Sequence, residues 1–250
     1  MIPKVIHYCW FGRNPLPPFA LKCIESWKKF LPDYEIIEWN EDNFNVNMIP
    51  YTKEAYEAKK YAFVSDYARF WILYHYGGIY FDTDVEVICK MDDIISCGSF
   101  MGREAGSFNN NESESVAPGL GLGAIPGLVF YKKILEKYST LKFVINGILN
   151  QTTVVKYTSD LLNEYQIKHI AVGVDLVEGI YIYSSEYFCP LDYHTGKTNI
   201  TTNTRTIHHY SATWRTPREK LKHKIITILG SRLTSYLVNI KHFIVGNYSK

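Results

Sequence analysis

The order of apolar and polar positions predicts alternating strands and helices. Val5 to Trp10 is a short β-branched and aromatic run and reads as a buried strand. The loop from Gly12 through Pro18 breaks it. From Phe19 to Phe30, Leu21, Ile24 and Trp27 recur at helical spacing between polar positions. Tyr34 to Trp39 reads as a second strand, stopped by Asn40-Glu41-Asp42-Asn43. This strand–helix–strand opening is that of an α/β layer.

The longest helical pattern covers Thr52 to Tyr76, with Val64, Ala68, Trp71 and His75 near one face and Tyr67 and Tyr74 beside them. Gly77-Gly78 ends it, since glycine accepts the left-handed cap. Ile79-Tyr80-Phe81 is a short apolar strand that delivers Asp82-Thr83-Asp84, and Val85-Glu86-Val87 continues extended. Gly98 to Gly127 is rich in Gly, Asn, Ser and Glu and reads largely as loop. Helices are predicted at Leu128–Tyr138 and Thr153–Tyr165, and a strand at Ile180–Phe188. Thr206-Ile207-His208-His209-Tyr210 then leads to Trp214, and the rest reads as a basic helix.

Composition narrows the class. The chain has 250 residues, enough for one large α/β core without disulfides or metal to hold it. Twenty Tyr, 13 Phe and five Trp are available for stacking on flat ligands as well as for packing. Five cysteines with no Cys-x-x-Cys pair argue for reduced thiols over a disulfide framework or a zinc site. The N-terminal sequence lacks the apolar run of a signal peptide, and no stretch reaches the ~18 apolar residues of a bilayer span. A cytoplasmic setting is therefore expected. Eight of the 27 Lys and Arg, but only one of the 25 Asp and Glu (Glu219), fall from Arg215 onward. An acidic body thus carries a basic end, in which Lys220, Lys222, Lys224, Arg232 and Lys241 alternate with Ile, Leu and Val. That suits an anionic membrane surface; with an acidic body and no accompanying motif, nucleic acid is not an expected partner.

The candidate chemistry centres on Asp82 and Asp84. The C-terminal end of a strand in an α/β sheet is where ligands bind. Two carboxylates one residue apart can share a divalent metal, and Mg²⁺ or Mn²⁺ would leave positions for phosphate oxygens. Such a metal stabilises a departing diphosphate, as transfer from a nucleotide donor requires. A bare Asp-x-Asp is more often a solvated turn, so its surroundings decide. Asp66 and Arg69, three apart, share one face of the preceding helix. The same triplet also fits the nucleophile motif of a haloacid-dehalogenase-type phosphatase with Asp82 as nucleophile. That motif usually opens its fold, whereas two strands precede this one, and no late Asp pair follows a Lys.

The pattern Ser65-Asp66-x-x-Arg69, then Leu73-Tyr74-x-Tyr76-Gly77-Gly78-Ile79-Tyr80-x-Asp82-x-Asp84, resembles the sugar-binding-region glycosyltransferases that contain the DxD motif, glycosyltransferase family 32. These include fungal initiating mannosyltransferases and bacterial capsular polysaccharide transferases. Ile2-Pro3-Lys4-x-Ile6-His7-x-x-Trp10-x-Gly12 and the late His208-His209-x-x-x-Thr213-Trp214 extend the match. The chain departs from the family in having Thr213 where Ser is common. It also has Pro118-Gly119-Leu120-Gly121-Leu122-Gly123 where many members carry an acceptor-side Asn; those glycines serve either as turns or to let backbone approach the donor.

The resemblance implies a GT-A fold, with a mixed central sheet flanked by helices, over residues 1–214 and a basic extension over 215–250. It implies a retaining, metal-dependent hexosyl transfer from a UDP- or GDP-hexose to a glycan acceptor, lipid-linked in surface polysaccharide assembly. Trp10 would stack on the base and Tyr80 lie on the ribose side. Asp66 and Arg69 would hold the donor sugar, and Trp214 would sit over the donor. Asp82 and Asp84, with His208 or His209, would ligate Mn²⁺ or Mg²⁺. The expected location is cytoplasmic, peripheral on the inner face of the plasma membrane. A non-catalytic nucleotide-sugar-binding protein on the same scaffold is the third alternative.

Overall fold

The computed structural model describes residues 1–104, 115–191 and 197–211. In chain order these form β1 (Val5–Cys9), α1 (Pro18–Phe30), β2 (Glu35–Trp39), α2 (Pro50–Glu57), α3 (Tyr61–Tyr76), β3 (Gly78–Tyr80), β4 (Val85–Val87), α4 (Asp92–Cys97), β5 (Ser99–Gly102) and β6 (Leu122–Ala124). They continue with α5 (Val129–Ser139), β7 (Val144–Ile145), β8 (Ile148–Leu149), α6 (Val154–Leu162), β9 (Lys168–Ala171), β10 (Val174–Val177), β11 (Ile180–Tyr183), α7 (Ser185–Phe188) and β12 (Thr206–His208). The expected basic extension, 215–250, lies outside the described residues, as do Thr213 and Trp214. No helix among the described residues is long and apolar enough to cross a membrane.

Eight strands make one sheet in the order β2-β1-β3-β6-β5-β11-β10-β9. β2, β1 and β3 are parallel, β6 runs against both β3 and β5, and β11 is parallel to β5. This is the mixed central sheet flanked by helices expected of a GT-A fold. The pleat sends successive side chains to opposite faces. Cys9, Tyr80 and Met101 join a core with α2, α3, α5 and α6, whereas Tyr8, Ile79, Phe81 and Phe100 join a second core with α1 and α7. The same alternation puts Asp82 on Tyr80's side, facing α3.

Several expectations need correction. Thr52–Tyr76 is two helices, not one. Lys59 takes a left-handed φ of 56°, and Lys59 N and Lys60 N donate to Tyr56 O and Ala55 O. That is a Schellman closure made by lysine instead of glycine, so no glycine announced it. On α3 the buried positions are Val64, Asp66, Tyr67, Ala68, Arg69, Phe70, Ile72 and Leu73, while His75 is exposed. On α1, Leu21 is exposed and Ala20, Cys23, Ile24 and Trp27 are buried. The stretch 98–127, read as loop, holds β5 and β6 at the centre of the sheet. β6 was hidden by its glycine: a Cβ at Gly123 would stand 2.1 Å from the Phe100 ring. Ile180–Phe188 is a strand only to Tyr183 and then turns into α7.

The Gly77-Gly78 return needs its glycines, as expected, but not for a left-handed helical cap: Gly77 lies at φ 66°, ψ −159°. Both residues have positive φ, 66° and 99°, and a Cβ on Gly78 would meet Val5 O at 2.7 Å. His7 secures the return from β1. Its Nδ1 accepts from Trp39 Nε1 at 3.0 Å, so Nε2 carries the proton and donates to Gly77 O at 3.0 Å. Burial pushes the His7 pKa down to about 4, so it is a neutral strut.

Candidate active site

The site lies at the C-terminal ends of β1 and β3 and is closed by residues from the far end of the chain. Its first half is built on α3. Arg69 is almost fully buried; Nη2 lies 2.9 Å from Asp66 Oδ1 and 3.2 Å from Asp82 Oδ1, and Nε donates to Ser65 O. The guanidinium lies 5.0 Å from the centre of the Tyr80 ring, and Tyr80 Oη donates to Asp82 Oδ1 at 3.1 Å. One buried cation therefore answers two carboxylates. Burial pushes the Asp66 carboxyl up to about 7, with Arg69 opposing it and Asp82 adding to it. Burial also raises Asp82, against the pull of Arg69.

The second half is built by pairing β12 with β4, which sets His208 opposite Val85. His208 Nε2 lies 3.1 Å from Asp84 Oδ1. Tyr210 has a left-handed backbone, φ 47°, unusual for a bulky residue. The chain then brings both Ser211 N and Ser211 Oγ onto Asp84 Oδ2, at 2.8 and 2.9 Å. Burial works against ionisation of Asp84, but His208 and Ser211 outweigh it and hold the carboxyl well below the usual carboxylate range. His208 is raised in turn: burial opposes its charge and Asp84 prevails.

Asp82, Asp84 and His208 each offer a ligand atom within 4.8 Å of the others. Two carboxylates and an imidazole are a fitting donor set for Mn²⁺ or Mg²⁺. His208 Nδ1 is buried without a hydrogen-bond partner among the described residues, so the imidazole has unused binding capacity. Of the two histidines weighed for this role, only His208 joins the cluster. His209 Nε2 sits 2.8 Å from Glu86 Oε2, and its ring packs edge-on against Phe19. The sequence left open which of the two would serve; in the structure His208, the last residue of β12, faces the cluster, and His209, just past the strand, turns to Glu86.

Trp10, at the end of β1, is half-buried, and its Nε1 donates to Asn14 O at 2.6 Å. Ser211 and Glu104 were missed in the sequence. Glu104 approaches the cluster through Tyr210: Tyr210 Oη donates to Glu104 Oε2 at 3.5 Å, and the Tyr210 ring lies 4.3 Å from that of His208. Ser211 carries no signal beyond being a small hydroxyl after a strand end, and Glu104 belongs to a stretch read as loop. The central glycines prove to be close-approach positions. A Cβ at Gly119 would stand 2.2 Å from Asp82 Oδ2, and one at Gly121 would stand 3.1 Å from the Phe81 ring. The phosphatase reading finds no support in this geometry, because Asp82 is tied to Arg69 and Tyr80 instead of being presented as a free nucleophile.

Residues 17–101 match the model of the glycosyltransferase sugar-binding region containing the DXD motif. That span holds Asp66, Arg69, Tyr80, Asp82 and Asp84. Inositol phosphoceramide mannosyltransferase 3 of Schizosaccharomyces pombe is 30% identical over 122 residues, 47% of this chain and 34% of the relative. The chain thus spans about a third of the length of the fungal relatives it matches. An uncharacterized glycosyltransferase of Acanthamoeba polyphaga mimivirus is 25% identical over 201 residues, 76% of this chain and 78% of the relative. Among solved structures, the PaToxG glycosyltransferase aligns with a TM-score of 0.48 at 17% identity, over 65% of this chain and 69% of that one. The galactosyltransferase LgtC aligns with a TM-score of 0.42 at 12% identity, over 92% of this chain and 96% of that one. The family resemblance carried by the sequence is borne out over residues 17–101, which are similar to the glycosyltransferase sugar-binding region containing the DXD motif.

Proposed function

We propose that the protein is a metal-dependent glycosyltransferase that moves a hexose from a UDP- or GDP-hexose to a glycan acceptor, with retention at the sugar carbon. The observation that carries this reading is the meeting of Asp82, Asp84 and His208 in one cluster beside the buried Asp66–Arg69–Asp82 chain. A divalent cation held there would supply positive charge to the donor diphosphate. Arg69 pairs with Asp82 and Asp66, and in this reading Asp66 would accept hydrogen bonds from sugar hydroxyls. Trp10 offers an indole face to the base, with Tyr80 on the ribose side. His208 and Ser211 keep Asp84 ionised.

In the transfer, the acceptor oxygen forms the new bond to the anomeric carbon as the bond to the diphosphate oxygen breaks. The leaving phosphate takes the acceptor proton from the same face, so no protein base is required. The likeness to mannosyltransferases that are named for a phosphoceramide acceptor supports a lipid-carried acceptor. The basic, isoleucine- and leucine-rich segment after Arg215 supports a peripheral position on the inner face of the plasma membrane. Surface polysaccharide assembly is the setting we favour.

The test is a screen of UDP- and GDP-hexoses with Mn²⁺ and Mg²⁺, following donor hydrolysis and thermal stabilisation. One donor is expected to respond, and only with metal. Silence across the panel, or equal turnover in EDTA, would overturn the reading. Proton NMR of the first glycoside formed reads the anomeric configuration.

A further inference from the structure

We propose that Gly119 is a positioning residue of the donor site, holding the Asp82 carboxylate in place by the absence of a side chain. The proposal rests on the metal-dependent transferase reading and adds to it a residue outside the matched sugar-binding region. Gly119 lies in the turn Ala117–Leu120, closed by Leu120 N donating to Ala117 O at 3.1 Å. Its φ is not positive, so backbone conformation does not demand glycine there. Space does. An added Cβ would stand 2.2 Å from Asp82 Oδ2 and 3.5 Å from Arg69 Nη1.

One side must give, and the surroundings say which. The turn is anchored on both flanks. Ala117 N donates to Gly102 O at 3.0 Å, and β6 begins at Leu122, paired with both β3 and β5. Ala117 and Leu120 are themselves buried. The Asp82 backbone is tied to the turn, its N donating to Gly119 O at 3.4 Å, but its carboxylate is held through Oδ1 alone, which receives Tyr80 Oη at 3.1 Å and faces Arg69 Nη2 at 3.2 Å, while Oδ2 rests against Gly119. A methyl group at 119 therefore turns the carboxylate away from Arg69 and out of the cluster with Asp84 and His208. The turn at Gly119 is thus the backing plate of the Asp82 carboxylate.

The test uses the full chain in four forms: wild type, Gly119→Ala, Asp82→Ala and the double variant. Mn²⁺ affinity is measured by the electron paramagnetic resonance of free Mn²⁺, with and without UDP or GDP, and thermal stability by circular dichroism. Gly119→Ala is expected to weaken Mn²⁺ binding at least tenfold and to lower Tm, and the Tm loss is expected to vanish when Asp82 is already Ala. Wild-type Mn²⁺ affinity in Gly119→Ala overturns the proposal. So does an equal Tm loss in the Asp82→Ala background, which would mean that the turn itself had broken. If Gly119→Ala does not fold, the double variant decides: a folded double supports the contact and an unfolded one overturns it. Failure of the wild type to bind Mn²⁺ defeats the metal reading, and the stability cycle then judges Gly119 on its own.

Discussion

Asp82 and Asp84 are two residues apart in one triplet, yet the protein holds them in opposite ways. Asp82 belongs to a local arrangement: its partners, Arg69 and Tyr80, come from the helix and strand just before it, and one cation is shared with Asp66. Asp84 belongs to a long-range one, since its partners His208 and Ser211 arrive from more than 120 residues away. Burial raises Asp82, whereas hydrogen bonds and His208 lower Asp84 against the same burial. The difference separates their positions: Asp82 links the cluster to the buried Asp66–Arg69 pair, and Asp84 is the carboxylate held ionised against its burial.

The sharpest way to break this comparison is Asp84→Asn, which keeps the shape and removes the charge. Metal-dependent donor turnover is expected to fall by about a thousandfold or more, the effect of losing several kcal/mol of charge stabilisation. Turnover close to wild type would remove Asp84 from the ligand role. Arg69→Leu attacks the other half. It leaves Asp66 and Asp82 without their cation and should cost about 3–5 kcal/mol of folding stability in urea titration; a cost under 1 kcal/mol would show that the carboxylates do not depend on it.

Ser211→Ala removes one of the two donors to Asp84 Oδ2 and should weaken Mn²⁺ binding by about 10- to 100-fold, as loss of a ligand's supporting hydrogen bond does. His209→Gln, by contrast, should leave Mn²⁺ affinity within a few-fold, because His209 serves Glu86. Equal losses from His208→Gln and His209→Gln would erase the distinction between them.

Acidity tests the comparison more gently. The His208 pKa is raised, so its proton competes with metal at a higher pH than an ordinary imidazole's would. Mn²⁺ affinity is expected to fall as pH drops through that raised value, by at most about tenfold per pH unit for one proton. His208→Gln should flatten the profile. The smallest effect concerns Asp66. Its folded pKa is above that of the unfolded chain, so the folded state holds its proton longer and Asp66 costs stability as pH rises from about 4 to about 7. Asp66→Asn should remove that cost, raising Tm at pH 8 by about 2–4 °C while donor turnover falls.

Much of this site was legible along the chain because its first half is local. A helix face, a glycine return and a pleat of period two are all fixed by short-range sterics. They bring Asp66, Arg69, Tyr80 and Asp82 together before the rest of the fold is considered. The break at Lys59 was not legible, because a lysine occupies the left-handed position that a glycine would have signalled. Nor were β5 and β6, which are too short and too glycine-containing to show a period.

The sequence by itself determined the α/β order, the Asp-x-Asp at the strand end, the Asp66–Arg69 pair on the helix before it and the family to which the pattern points. Only tertiary structure decided which histidine serves the cluster, that Ser211 holds Asp84, and that Gly119 backs Asp82. The reason is that these last contacts join segments distant in sequence, through register and close approach. Register turns on a single residue's position in a pairing, and close approach on the absence of a side chain; neither leaves a periodic mark on the chain.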